Sequence, residues 1–193
     1  MSPRAPTALA RPTRPDPAAV ASALLRRRVP THLGEVQLLG SEHGLAWVQL
    51  PLAGSGATCS QHLMRWFGDP AIVDADQGLE DAVEEVEAWD SGDFTPRSPR
   101  FDCRGTAFQL DVWRALREVR AGSTVTYGEL AALAGRPRAT RAVGTAMRCN
   151  PLPLLVPCHR VLAANGMGGF AGGVDGALDL KSVMLRHEGA LML

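Results

Sequence analysis

Residues 106–148 read TAFQLDVWRALREVRAGSTVTYGELAALAGRPRATRAVGTAMR, and they decide the fold of the second half of the chain. Thr106 is followed three residues on by Gln109. That is a capping-box pattern, in which side chain and backbone at a helix start satisfy each other's free groups. Phe108, Val112, Ala115, Leu116 and Val119 then recur at helical spacing and predict one buried stripe. Thr126 and Glu129 repeat the capping pattern, and Gly135 suits the helix exit. Pro137 suits the first turn of the next helix. Two short helices across a Gly-containing turn predict a helix-turn-helix. On its second helix Arg138, Arg141, Thr145 and Arg148 fall on one polar stripe, while Val143 and Met147 turn toward a core. Ala139, Ala142 and Gly144 keep the exposed surface narrow, which lets a basic helix enter a groove closely. Alone, the same pattern also fits two packed helices of any small bundle.

Working outward, residues 30–100 read as a small α/β unit ending in a linker, so the whole chain reads as α+β. GEVQLLGSEHGLAWVQLPL (34–52) holds two strand-like runs around SEHG, a hairpin signal. ATCSQHLMRWFG (57–68) and GLEDAVEEVEAWDSG (78–92) read as helices, the second with Leu79, Val83, Val86 and Trp89 on one face. DFTPRSPRFDCRG (93–105) is rich in Pro, Gly and Ser and reads as the linker. Residues 1–29 form a Pro/Ala/Arg-rich extension, disordered at first, with a short helix over AAVASALLRRR (18–28). Residues 101–193 make the second, mostly helical domain.

The chain has 193 residues, 46% of them hydrophobic, enough for one medium domain or two small ones with real cores. No apolar run reaches the roughly 20 residues that span a bilayer, and the start lacks a secretory apolar core. These features predict an intracellular, cytoplasmic protein with no membrane partner. Between Asp69 and Asp93 there are ten acids and no Lys or Arg; between Pro96 and Arg160 there are eleven Arg and four acids. A basic second half can meet phosphates while the whole chain stays neutral. The acidic stretch reads as a solvated face. Cys59, Cys103, Cys149 and Cys158 have neither metal-ligand nor disulfide spacing. Free thiols and no metal are expected.

LLVPCHRVLAANG (154–166) places Cys158 beside His159 after an apolar run and a proline. Four readings are open at this point: a buried filler, a metal ligand, a hydrolase nucleophile, or a thiol that reacts once. A base that takes the proton of a thiol makes it a strong nucleophile. Neighbours in sequence need not touch, however.

NPLPLLVPCHRV (150–161) resembles the active-site signature of the O6-alkylguanine-DNA alkyltransferases, also called methylated-DNA–protein-cysteine methyltransferases. GTAFQLDVWRALREVRAGSTVTYGELAALAG (105–135), RATRAVGTAMRCNP (138–151), GMGGFAGG (166–173) and KSVMLRHEG (181–189) follow in the family's order. The resemblance is strong over residues 105–189 and loose before them. It implies an antiparallel, ribonuclease H-like sheet in the first domain and a helix-turn-helix in the second. It implies DNA repair, with one irreversible transfer of an alkyl group from O6 of guanine, or O4 of thymine, onto Cys158. His159 would deprotonate Cys158 through a bound water, Glu188 would orient and charge His159, and Asn150 would support the network. Tyr127 would hydrogen-bond guanine N3. Arg141 would fill the stack vacated by a flipped nucleotide. Arg138 and Arg148 would contact phosphate, with the helix carrying Ala139, Ala142 and Gly144 in the minor groove. Met147, Pro153, Val161 and the loop from Met167 to Gly173, including Phe170, Ala171 and Gly172, would form the base pocket. Backbone groups of Cys158, Val161 and Ala171 would bond the base. The partner would be duplex DNA carrying O6-alkylguanine, the protein a monomer, with no cofactor. Two departures stand out: Phe170 replaces the family's usual tyrosine, and the segment from Gly172 to Lys181 is longer than usual. Related lesion-binding sensors lack the cysteine; this chain keeps Cys158.

Overall fold

The computed structural model describes residues 23–52 and 56–191. The sheet of the first half has the order β3-β2-β1-β4. Its strands are β1 (Ala23–Thr31), β2 (Gly34–Ser41), β3 (Gly44–Gln49) and β4 (Ala71–Asp74). β1, β2 and β3 are antiparallel neighbours, with β2 and β3 joined at the expected hairpin. β4 runs parallel to β1, so the sheet is mixed rather than purely antiparallel as expected.

Residues 23–29 leave the predicted extension and helix for a strand between two neighbours. Tertiary pairing overrides local propensity here. The strand buries Leu24 and Val29, and Arg26 meets Asp74 on β4 through two bonds of 2.6 and 2.9 Å. The rest of the expected extension, residues 1–22, lies outside the described residues.

Successive strand residues point to opposite faces, and each face has its own cover. On one side, Leu24, Leu39, Ala46 and Trp47 pack against Leu63 and Phe67 of α1 (Gly56–Phe67). On the other, Val36, Leu38, Leu45 and Val48 pack with Leu79, Ala82, Val86 and Trp89 of the α2 region (Glu80–Asp90). The α2 face is the one predicted, shared between Val83, half-buried, and Ala82.

That second cluster continues without a break into the other half. It takes in Leu110, Val112, Trp113 and Leu116 of α3 (Ala107–Arg117), Leu130 of α4 (Tyr127–Leu133), Val143 and Ala146 of α5 (Thr140–Arg148) and Met184 of α6 (Ala177–His187). Backbone bonds cross it. Val48 N–H donates to Pro151 O at 2.8 Å, and Leu45 exchanges bonds with Arg100 and Asp102 in the linker. Gly44 is required for this approach: its φ is +131°, and a Cβ there would sit 2.4 Å from Arg100 O. The linker therefore lies fastened along the sheet edge.

Both capping boxes form, at Thr106/Gln109 and at Thr126/Glu129. Of the predicted α3 stripe, Val112, Leu116 and Val119 are buried. Leu110 and Trp113 are buried, while Phe108 and Ala115 are only half-buried, and Trp113 Nε1 donates to Ala146 O at 3.0 Å. Pro137 and Arg138 precede α5 instead of opening it; its N-cap is Ala139. A two-stranded parallel ladder of β5 (Val125–Thr126) and β6 (Val161–Leu162) holds the start of α4 against the segment after Cys158. Among the described residues no helix is long and apolar enough to cross a membrane.

Candidate active site

After α5 the chain passes through PLPLLVP with almost no regular structure, every residue buried or half-buried. It then makes a single 3₁₀ turn at Cys158–Arg160. Asn150 secures that passage: its Nδ2 donates to Val156 O at 2.7 Å, and its Oδ1 accepts from Leu152 N–H at 3.0 Å. The turn buries Cys158, His159 and Arg160 together.

His159 is fully buried, and its Nε2 lies 2.8 Å from Glu188 Oε1 at the end of α6. Its Nδ1 is buried and, among the described residues, meets no donor or acceptor. A carboxylate accepts hydrogen bonds, so Nε2 carries the proton and Nδ1 the lone pair. Burial pushes His159 below its ordinary pKa against the pull of Glu188. Burial also pushes the Cys158 thiol up, opposed by the Asn150 side chain, the charge of Lys181 and the backbone N–H groups of the turn. The resting pair is thus a thiol beside a neutral imidazole. Glu188 is the reverse case. Burial raises its carboxyl, but hydrogen bonds from His159 and Arg160 and the charge of Arg160 outweigh it and hold the group well below the carboxylate range.

The structure thus places His159 on Glu188 and Asn150 against Cys158. Tyr127, at the start of α4, is half-buried, with its hydroxyl 3.4 Å from Gly169 O; burial and then the nearby Cys158 push the pKa of its hydroxyl up. Its ring lies between two glycines: a Cβ on Gly144 would be 3.9 Å from it, and one on Gly168 3.2 Å. Gly144 thus faces Tyr127, not only the outer surface. Arg138, Arg141, Ala142 and Arg148 are exposed, and Ala139 is half-buried. A cavity of about 740 Å³ opens over Cys158 and is walled by Met147, Pro153, Phe170, Ala171 and Gly172, with Arg148 at its edge. It continues to Trp47, His62 and Trp66 of the first half. Val161 is not on its wall; it is fully buried behind Cys158, and its carbonyl accepts from Lys181. Ala171 holds a φ of +44°, unusual for a residue with a side chain.

Three residues of this site had no predicted role. Arg160 forks onto Glu188, Nε to Oε2 and Nη2 to Oε1, each at 2.8 Å. Trp89 Nε1 donates to the same Oε1 at 2.8 Å. Lys181, fully buried, donates to the carbonyls of Val161 and Met167 and pins the pocket loop to α6. Burial lowers its pKa to about 8. Among the described residues no group of three or more His, Cys, Asp or Glu comes together to hold a metal ion.

Residues 107–190 match the family described as 6-O-methylguanine DNA methyltransferase, DNA binding domain. The chain is 36% identical over 159 residues to the methylated-DNA–protein-cysteine methyltransferase of Methanosarcina acetivorans, covering 82% of this chain and 94% of that one. The chain belongs to the methylated-DNA–protein-cysteine methyltransferase family. The family's fold is shared as well. The O6-methylguanine methyltransferase of Mycobacterium tuberculosis superposes with a TM-score of 0.71 at 29% identity, over 88% of this chain and 95% of that one. The same enzyme in complex with DNA gives 0.69 at 29% identity, over 86% and 93%. The methyltransferase match spans both halves, although the earlier resemblance was strong only in the second.

Proposed function

We propose that this protein repairs DNA by direct reversal, moving the alkyl group from O6 of a guanine onto Cys158 in one irreversible step. The observation that carries the reading is a buried thiol beside a buried His159–Glu188 pair, at the floor of a cavity, in a member of this family. The thiol rests protonated, so a base must act with the attack. Nε2–H of His159 is committed to Glu188, which leaves the Nδ1 lone pair to take the thiol proton through a water, as in the logic of hydrolase triads. The S–C bond forms as the C–O6 bond breaks, and guanine departs with the electron pair. Tyr127 hydrogen-bonds N3 of the leaving base and neutralises its developing charge. The proton lost by the thiol replaces the one the guanine gains, so the products are a thioether and restored guanine. Asn150 steadies the thiolate.

Guanine O6 is hidden inside a duplex, so the nucleotide flips out to reach Cys158. In this reading α4 and α5 act as a helix-turn-helix with α5 in the minor groove. Arg141 occupies the vacated stack, Arg138 and Arg148 meet phosphates, and small Ala139 and Ala142 permit close approach. The DNA complex of the mycobacterial relative supports DNA as partner. Met147, Pro153, Phe170, Ala171 and Gly172 enclose the base. The sheet order β3-β2-β1-β4 supports a ribonuclease H-like first domain, divided from the second near residue 100. A monomer suffices, because one chain supplies every group named.

The test is incubation with duplex DNA labelled in the methyl of O6-methylguanine. One label per protein on Cys158 is expected, and none on Cys158→Ala. Label on Cys158→Ala, or lesion binding without transfer by the wild-type protein, overturns the reading.

A further inference from the structure

The relay is not built from one half of the chain alone. Glu188 Oε1 receives three donors at 2.8 Å: His159 Nε2, Arg160 Nη2 and Trp89 Nε1. The first two are neighbours of Cys158; the third comes from α2, 99 residues before Glu188. The bond is buried, and the indole is clasped. His32 stacks on it at 5.4 Å and 16°, His187 lies against it at 4.6 Å, and His187 Nε2 contacts Trp89 O at 2.7 Å. A ring held this way directs its only donor at one carboxylate oxygen.

We propose that Trp89 is a positioning residue of the relay: its N–H fixes the Glu188 carboxylate and limits how strongly that carboxylate charges His159. The physical reason is competition at one oxygen. A carboxylate oxygen offers about two lone-pair sites, so each added donor leaves less for the imidazole. Burial holds His159 neutral at rest, and the indole keeps Glu188 from offsetting it, so the imidazole can accept the thiol proton. Without it Oε1 turns more fully toward His159 and favours the imidazolium. The inference rests on the proposed role of His159 for its consequence, but its first readout does not.

Other groups facing this centre must stay constant in the test. They are Arg160 and Cys158 on the turn, Lys181 and His187 on α6, Glu85 on α2, and the His32–Asp90 pair beyond the indole. An isosteric deletion does this. Replacing Trp89 site-specifically by β-(3-benzothienyl)alanine puts sulfur where the N–H stands and keeps the ring. Trp89→Phe serves as the encoded counterpart, and thermal melting checks that both fold. The full-length protein is titrated by NMR, with His159 assigned by the loss of its signal in His159→Gln. The midpoint of His159 should rise by roughly half a pH unit or more when the donor is deleted. The acid limb of the transfer rate should move the same way, while 7-azatryptophan, which keeps the N–H, should stay close to wild type. A His159 midpoint unchanged by the benzothienyl residue overturns the inference, whether or not the protein transfers alkyl groups. Absence of transfer by the wild-type protein overturns the function instead.

Discussion

Changing Glu188 to Gln removes the charge on which four buried bonds converge, and the effect can be worked through. The guanidinium of Arg160 is mostly buried and gives two 2.8 Å bonds to this carboxylate. In E188Q one acceptor becomes an N–H₂ donor facing the Arg160 fork, and the arginine keeps its charge without compensation. Breaking a buried pair from one side costs about 3–5 kcal/mol. Arg160→Met should cost a similar amount, because it leaves Glu188 ionised with only His159 and Trp89. The double variant should lose far less than the sum, with a coupling of about 2–3 kcal/mol. Urea denaturation of the four proteins at pH 7 measures this directly. A domain has roughly 5–15 kcal/mol in total, so each single variant is strained but measurable. The sign in pH also follows. The folded carboxyl of Glu188 is depressed, so its contribution is complete above the ordinary value of about 4.3 and is lost as pH falls toward the folded value. The acid limb of stability should therefore shrink in E188Q. Single costs below about 1 kcal/mol, or costs that simply add, would refute the reasoning.

Burial keeps His159 from taking up a proton that the unfolded chain binds near pH 6.5, so stability should fall as pH drops from about 7 to 5; His159→Gln should flatten that slope in urea melts. Gly168→Ala combines a φ of +68° with a Cβ 3.0 Å from Ala163 N and 3.2 Å from the Tyr127 ring. It should cost about 1–2 kcal/mol and slow transfer, as seen by melting and single-turnover rates. Arg141→Ala should slow repair of duplex DNA several-fold yet leave transfer from free O6-benzylguanine unchanged, because the arginine is exposed, does not line the cavity, and in the proposed reading serves only the stack. The same free base tests the cavity, which runs from Cys158 to Trp47 and Trp66: reaction is expected in single-turnover assays, and failure to react at all would mean that a benzyl group beside guanine does not fit over Cys158.

What the sequence reveals here depends on distance along the chain. Thr106/Gln109 and Thr126/Glu129 act within one turn, so both helix starts were legible from spacing. So was the 34–52 hairpin, and the Cys158–His159 pair was found through its local motif. Trp89, Arg160 and Lys181 were not, because their partners lie 99, 28 and 20 residues away and no local period records them. β1 was missed for a related reason. LLRRR has no strand alternation of its own, and only the flanking β2 and β4 make it a strand. The α3 stripe was legible only in part: Val112, Leu116 and Val119 are buried as expected, while Trp113 joins them because it follows the position of Ala146 on α5, a contact outside its own helix.

The fastening of the linker has a wider consequence. Gly44 lets the linker lie against β3, Val48 bonds to Pro151, and one apolar cluster fills both halves. These contacts tie the two halves together, so opening the protein around a double helix would cost every one of them. In the proposed reading, the distortion that presents a base then falls to the nucleic acid. Lesions in pairs that breathe easily, such as mismatches or A·T-rich surroundings, should be corrected first, and the search along a genome would be governed by the mechanics of DNA.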